Sequence, residues 1–240
     1  MTNLRARIAS KRSAMSLSPT AREVRSRNLT YLRPQRLRAL ERCAREVNER
    51  GVPGDFLEAG VALGGSAVLL ASLMGEGRSF HGYDLFGMIP PPGDNDPPEV
   101  HQRYATIEAG ESAGIGGDLY YGYRDDLLEQ VTRTFAEFEL PVGDRVHLHK
   151  GLFEDTLHPV GPVALAHVDS DWFDPVDTSL RRIGPYLSPG GFMVLDDYND
   201  YGGCRDATDH FVRDGSGRFA LIELDGNVAL VKTAEDLAGR

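Results

Sequence analysis

Strand-like and helix-like stretches alternate along most of the chain. Strand signals fall at Phe56–Ala59, Arg78–Asp84, Arg145–Lys150, Val163–Asp169 and Gly191–Leu195. Helix signals fall between them, at Ser66–Leu73, Asp125–Leu140, about Pro175–Tyr186 and 204–213. In the second of these helices Leu127, Leu128, Val131, Phe135 and Phe138 share one side. This alternation predicts an α/β fold with a doubly wound, mostly parallel sheet. Val163–Val168 is almost wholly apolar, as a central parallel strand covered on both faces requires. Two closing apolar runs, Phe219–Leu224 and Asn227–Lys232, flank Asp225-Gly226, a strong hairpin signal, so one antiparallel pair is expected at the far edge.

Ahead of the first strand, Ser18-Pro19 reads as a helix start with proline at the first helical position. A second helix runs from about Pro34 to Arg50, with Leu37, Leu40, Ala44 and Val47 as its apolar stripe. Residues 1–18 are polar and read as loosely ordered. The expected organisation is an N-terminal helical segment, 1–50, and a main domain, 51–240. Residues 86–122 interrupt the alternation with Pro90-Pro91-Pro92, Pro97-Pro98 and a glycine- and tyrosine-rich stretch. A long irregular insertion after the second strand lies over the carboxyl edge of the sheet and reads as a substrate lid.

At 240 residues the chain suits one α/β domain with a full core. Net charge is −10 and uneven: residues 1–50 carry 13 Lys and Arg against four Glu, a net +9, leaving −19 for the rest. The basic segment is expected to pack on its own acidic body or on a neighbouring subunit. It lacks the aromatic interleaving that stacks bases, so no nucleic-acid partner is expected. No apolar run reaches 18 residues, which argues against a membrane span, and no apolar core follows Arg5, Arg7, Lys11 and Arg12, which argues against a signal peptide. Cys43 and Cys204 are the only cysteines and form no Cys-x-x-Cys or Cys/His cluster. A cytoplasmic chain without structural disulfides or zinc is expected.

Candidate chemistry begins where the first strand runs into Glu58-Ala59-Gly60-Val61-Ala62-Leu63-Gly64-Gly65-Ser66. A strand, a glycine turn and a helix start form the ligand crevice of open α/β sheets. Gly60 lets the backbone approach a ligand, and Gly64 continues the turn. Ser66 reads as the N-cap, and the N–H groups behind it favour a carboxylate. Glu58 suits a cation. The lysine of a P-loop and the G-x-G-x-x-G of a dinucleotide site are both missing. S-adenosylmethionine (AdoMet), which carries an ammonium and a carboxylate but no phosphate, fits the pattern. Asp84 ends the second strand, 26 residues beyond Glu58. There a carboxylate holds a ribose diol or, alternatively, caps a loop. The turn Gly151-Leu152-Phe153 is read as lying next to the first turn, offering Leu152 or Phe153 to an adenine ring. Tyr31 and Leu32, between the N-terminal helices, suit either a ligand cover or the core.

Asp169 and the pair Asp196-Asp197 end two consecutive strands, 27 residues apart, which fits one strand–helix–strand crossover. Neighbouring strands lie about 4.8 Å apart, so the carboxylates would repel one another without a cation. Oxygen ligands alone select a hard ion, Mg2+ first, then Mn2+ or Ca2+, and Asp171 and Asn199 can contribute. Such an ion beside AdoMet can activate a sugar or catechol hydroxyl. Asp169, Asp171, His101 and His149 are the candidate bases.

In order, Glu58-Ala-Gly60-x-x-x-Gly64-Gly65-Ser66, His167-Val-Asp169-Ser-Asp171 and Leu195-Asp196-Asp197-Tyr198 resemble the macrocin O-methyltransferase (TylF) family over about residues 30–232. The resemblance implies a class I methyltransferase fold with helices over the active site. It also implies AdoMet and Mg2+, with Asp169, Asp196 and Asp197 as metal ligands and Asp169 or a neighbour near the base role. The implied acceptor is a sugar hydroxyl of a glycosylated, antibiotic-type natural product, with a rhamnosyl acceptor as one form. A homo-oligomer is implied as well. The competing readings are a catechol-type methyltransferase, an NAD-dependent oxidoreductase, which would need the missing dinucleotide turn, and a non-catalytic interaction protein on the same scaffold.

Overall fold

The computed structural model describes residues 17–215 and 218–233; the polar opening, residues 1–16, lies outside them. Leu17 and Ser18 do not continue that polar stretch. Leu17 is buried, and Ser18 caps helix α1 (Pro19–Ser26) by accepting from the Ala21 N–H at 3.1 Å. Helix α2 (Pro34–Glu49) follows, again with proline in its first turn, and buries Leu37, Leu40, Ala44 and Val47.

The elements then alternate as β1 (Asp55–Ala59), α3 (Gly65–Leu73), β2 (Phe80–Asp84), α4 (Pro98–Glu108), α5 (Leu127–Glu137), β3 (Val146–Lys150), α6 (Phe153–Thr156), β4 (Val163–Val168), α7 (Phe173–Ile183), β5 (Leu187–Leu195), α8 (Gly202–Asp214), β6 (Phe219–Leu224) and β7 (Asn227–Lys232). Among the described residues the strands form one seven-stranded sheet in the order β3-β2-β1-β4-β5-β7-β6. The first five are parallel; β7 runs antiparallel to both β5 and β6. The order reverses between β1 and β4, the point at which open α/β sheets bind ligands. Every residue of β4 is buried, as its apolar run requires. The Asp225-Gly226 turn closes the terminal hairpin, with Leu224 paired to Asn227.

Ser188-Pro189-Gly190-Gly191, which punctuates the sequence like a helix stop, lies inside β5. The strand is irregular there: Val163 pairs with Leu187, but Leu165 pairs with Phe192. Extra residues are absorbed as a bulge, a position glycine and proline tolerate. The 86–122 insertion is also more regular than its composition suggests. It contains α4 and a short 3-10 turn, Ile115–Gly117, and a second such turn, Tyr121–Tyr123, straddles its end.

At the β2–β3 edge, His81 stacks between His147 (4.8 Å between ring centroids) and His149 (5.4 Å), and His149 lies on Tyr83 at 4.5 Å. Burial and the neighbouring His147 hold His81 and His149 below the usual histidine range, with Asp55 opposing this at His81. The unfolded chain binds these protons near pH 6.5 and the folded chain only at lower pH, so what these two histidines contribute to stability falls as pH drops through that value. Carboxyls raised by the fold, Asp171 among them, act in the opposite sense, so the test is a difference: between about pH 7.5 and pH 5.5 the urea midpoint of the wild type should fall relative to that of His149→Asn. An identical pH slope in the variant would refute the histidine origin.

Candidate active site

The turn after β1 is shaped by three glycines, each for a different reason. Gly60 has φ +95°, and a Cβ there would sit 1.8 Å from the Asp169 carbonyl oxygen. The close approach that excludes a side chain is therefore that of the segment after β4, joined by the Asp169 N–H donating to the Ala59 carbonyl at 2.9 Å. Gly64, with φ 87°, caps α3. Ser66, expected as that cap, instead lies buried within the helix. The Gly65 N–H, the first of the helix, donates to the Leu29 carbonyl at 2.9 Å. A Cβ on Gly65 would meet that same oxygen at 2.3 Å. The connector between α1 and α2 thus occupies the first N–H of the helix, one residue ahead of the Ser66 that the sequence suggested as cap.

Asp84, at the end of β2, braces the same turn. Its Oδ2 accepts from the Val61 and Ala62 N–H groups at 2.8 and 2.9 Å, and its Oδ1 accepts from the Phe86 N–H at 2.6 Å. Ala62 and Phe86 both adopt left-handed φ, 46° and 50°. Such strain in non-glycine residues persists where surrounding bonds dictate it. Burial raises the Asp84 carboxyl above its usual range, and the three backbone bonds work against that rise.

Beyond the switch point, Asp169, Asp196 and Asp197 each offer one oxygen, all within 4.8 Å of one another. The pairing of Val168 with Leu195 brings these strand ends together. Asp171, at φ 55°, donates its N–H to Asp197 Oδ2 at 3.2 Å. Burial and the neighbouring acids push Asp169 and Asp197 well above the usual carboxylate range, and push Asp171 to about 6. Asp196 is the exception. Burial would raise it, but His167 and Arg36 outweigh burial and hold it below that range.

His167 Nδ1 lies 2.7 Å from Glu58 Oε1, its register partner across β1 and β4, and both residues are fully buried. Its Nε2 lies 3.7 Å from Asp196 Oδ1, an ion contact beyond hydrogen-bond range, and neither atom has a hydrogen-bond partner. Burial disfavours the imidazolium, yet Asp196 and Glu58 together raise His167 to about 10.

These groups underlie two cavities. One, of about 440 Å³, is lined by Asp84, Asp169, Asp171, Asp196 and Asp197, with Tyr31, Leu32, Tyr120, Tyr121, Trp172 and Tyr201 among its walls. The second, of about 210 Å³, shares Gly60, Asp84, Asp169, Asp171 and Trp172 with the first. It adds Pro90, Pro91, Gly151, Leu152 and Phe153. Residues 86–122 cover both. Trp172 Nε1 donates to the Pro90 carbonyl at 3.1 Å, and the Phe173 N–H donates to Asp96 Oδ1 at 2.8 Å.

A family model described as macrocin O-methyltransferase (TylF) matches residues 3–232. The chain belongs to the macrocin O-methyltransferase family. It is 32% identical over 202 residues, 80% of this chain and 70% of the relative, to the 8-demethyl-8-(2,3-dimethoxy-alpha-L-rhamnosyl)-tetracenomycin-C 4'-O-methyltransferase of Streptomyces olivaceus. It is 30% identical over 209 residues, 82% of this chain and 75% of the relative, to the mycinamicin III 3''-O-methyltransferase of Micromonospora griseorubida. Among solved structures, the O-methyltransferase NovP superposes with a TM-score of 0.72 at 25% identity, covering 85% of this chain and 82% of that one. The resemblance noted in the sequence thus holds, and the class I methyltransferase fold with it.

In this methyltransferase the sequence-derived candidates separate into two groups. Gly60, Asp84, Gly151, Leu152, Phe153, Asp169, Asp171, Asp196 and Asp197 line the cavities; Glu58, Gly64 and Ser66 line neither. The Gly151 turn is not beside the first turn, because β2 intervenes between β3 and β1. It reaches the cavity because the Gly151 N–H donates to the Asp84 carbonyl at 3.0 Å. His101 is exposed on α4, Asn199 is exposed beyond β5, and His149 belongs to the edge stack; none lines a cavity. Sequence reasoning quoted His167 within a motif but gave it no role, and passed over Arg36. A histidine inside an apolar strand is a signal, but its partner Glu58 emerges only from the β1–β4 register.

Gly65→Ala should destabilise the methyltransferase by about 1–3 kcal/mol, the scale of overpacking against a fixed neighbour. Gly161→Ala, with no atom within 4 Å of its added Cβ, serves as the control. Equal urea midpoints for the two variants would refute the contact with Leu29.

Proposed function

We propose that this methyltransferase moves a methyl group from AdoMet to a sugar hydroxyl of a glycosylated natural product, with Mg2+ or a similar hard cation at Asp169, Asp196 and Asp197. The observation that carries the reading is the meeting of those three carboxylates on the floor of the larger cavity, with Asp196 Oδ1 unpartnered. An oxygen-only donor set suits a hard divalent ion, and buried like charges call for one. When bound, such an ion lowers the pKa of a coordinated hydroxyl and fixes its orientation, while AdoMet supplies an electrophilic methyl.

The remaining work falls to side chains of this chain. Leu152, Phe153, Pro90 and Pro91 offer apolar walls to an adenine ring, and Asp84 and Gly60 border the ribose and methionine portions. Glu58, Gly64 and Ser66 act by shaping the turn and its underside. Asp171 and Asp169 are the acceptors for the hydroxyl proton. Tyr31, Tyr120, Tyr121, Trp172 and Tyr201 offer ring faces to the C–H faces of a sugar, and the 86–122 segment acts as the lid that excludes water from the transfer. The Streptomyces olivaceus relative is named for a rhamnosyl-bearing tetracenomycin, which supports a deoxysugar acceptor.

Calorimetric titration tests this directly. AdoMet should bind with or without Mg2+, a rhamnosylated acceptor should bind only with it, and methyl transfer should stop in EDTA. Full transfer in EDTA would overturn the metal reading, and absence of AdoMet binding would overturn the whole. Asp197→Asn should lose Mg2+ binding and transfer while AdoMet affinity stays within a few-fold; a collapse of AdoMet affinity would move Asp197 to the cofactor.

A further inference from the structure

Arg36 reaches the acidic cluster from α2, outside the sheet and 160 residues before Asp196. Its two guanidinium nitrogens divide between two carboxylates: Nη1 donates to Asp196 Oδ2 and Nη2 donates to Asp200 Oδ2. The pair is enclosed, with side-chain exposures of 12% for Arg36 and 5% for Asp196. Oδ2 of Asp196 is therefore engaged, and Oδ1 is the oxygen left without a hydrogen-bond partner. Oδ1 lies in ion contact with His167 Nε2 at 3.7 Å, too long for a hydrogen bond.

We propose that Arg36 is a positioning residue for the metal centre: by holding Asp196 Oδ2 it fixes the carboxylate in the orientation that groups it with Asp169 and Asp197. The inference rests on the reading of Asp169, Asp196 and Asp197 as a metal site. Without Arg36, a buried carboxylate would be left short of one partner, which is costly. A rotation that brings the carboxylate closer to His167 would satisfy it and disturb its grouping with Asp169 and Asp197. The planar fork matters as well as the charge, because one guanidinium can span Asp196 and Asp200 in fixed geometry and an ammonium cannot. Positioning and plain charge predict opposite signs. A cation that merely sat near the site would repel Mg2+, and its removal would tighten binding.

The test is calorimetric Mg2+ titration of the full chain with AdoMet present, comparing wild type with Arg36→Gln, Arg36→Lys and Arg38→Gln. Arg38 sits on the same helix but pairs with the exposed Asp225 at 3.8 Å, away from the cluster. The Mg2+ Kd should rise about 10–100-fold in Arg36→Gln, as when a metal ligand loses its supporting partner. It should rise by less in Arg36→Lys and stay unchanged in Arg38→Gln. AdoMet affinity should be the same throughout. Tighter Mg2+ binding in Arg36→Gln would overturn the proposal in favour of simple repulsion. A lowered Tm with an unchanged Kd would overturn it in favour of a structural role for the ion pair. If Arg36→Gln does not fold, an unchanged Kd in Arg36→Lys overturns the proposal alone. Absence of Mg2+ binding in the wild type, with AdoMet still bound, would instead overturn the metal reading itself.

Discussion

Like charges gathered in a poorly solvated place repel, and in this protein that repulsion is concentrated where β4 and β5 end. Asp169, Asp171, Asp196 and Asp197 all border one cavity, and three of them are pushed above the usual carboxylate range by burial and by one another. Desolvated carboxylates are tolerated only when paired, hydrogen-bonded or coordinated. The surroundings supply the first two. His167 stands between Glu58 and Asp196, and Arg36 grips Asp196 and Asp200. Both counter-charges converge on Asp196, which is held below the usual carboxylate range while its neighbours are raised above it. Part of the uneven charge of the chain has its structural meaning here: within residues 17–50, Arg36 pairs with Asp196 and Asp200, Arg27 with Glu137 and Arg38 with Asp225.

Elements legible in the sequence were those with a strong local cause. The apolar run of β4 and the Asp-Gly turn of the last hairpin require no tertiary knowledge. Prolines at the starts of α1 and α2, and the aspartates closing β2, β4 and β5, are equally local. Features decided by long-range contact were hidden. Ser66 has the chemistry of a cap, but Gly64 takes the role because only its left-handed backbone lets the chain turn there. The α4 helix sits in a proline- and glycine-rich stretch whose composition speaks for a loop. The bulge in β5 absorbs residues that read as a stop. The partnership of Arg36 with Asp196 spans most of the chain and leaves no trace in local spacing.

The glycine turn after β1 shows how one local sequence can carry several constraints. Gly60 yields to the Asp169 carbonyl, Gly65 yields to the Leu29 carbonyl, and Asp84 locks the intervening N–H groups. The motif that suggested a ligand site is thus largely occupied by the protein's own backbone. Its contribution to the site is a rigid rim that draws β1, β4 and the α1–α2 connector together.

That rim divides the molecule into a floor and a roof with different freedom to change. The floor is a single plate of parallel strands, stitched at Ala59–Asp169 and Asp84–Gly151, where a shift in one strand end would displace the next. The roof is assembled from two pieces of chain outside the sheet: the α1–α2 connector with Tyr31 and Leu32, and the insertion bearing Ile89, Ile107, Tyr120 and Tyr121. The roof's side chains belong to segments other than those that carry the acids below. A scaffold divided in this way can diversify what it admits while its reactive groups stay fixed.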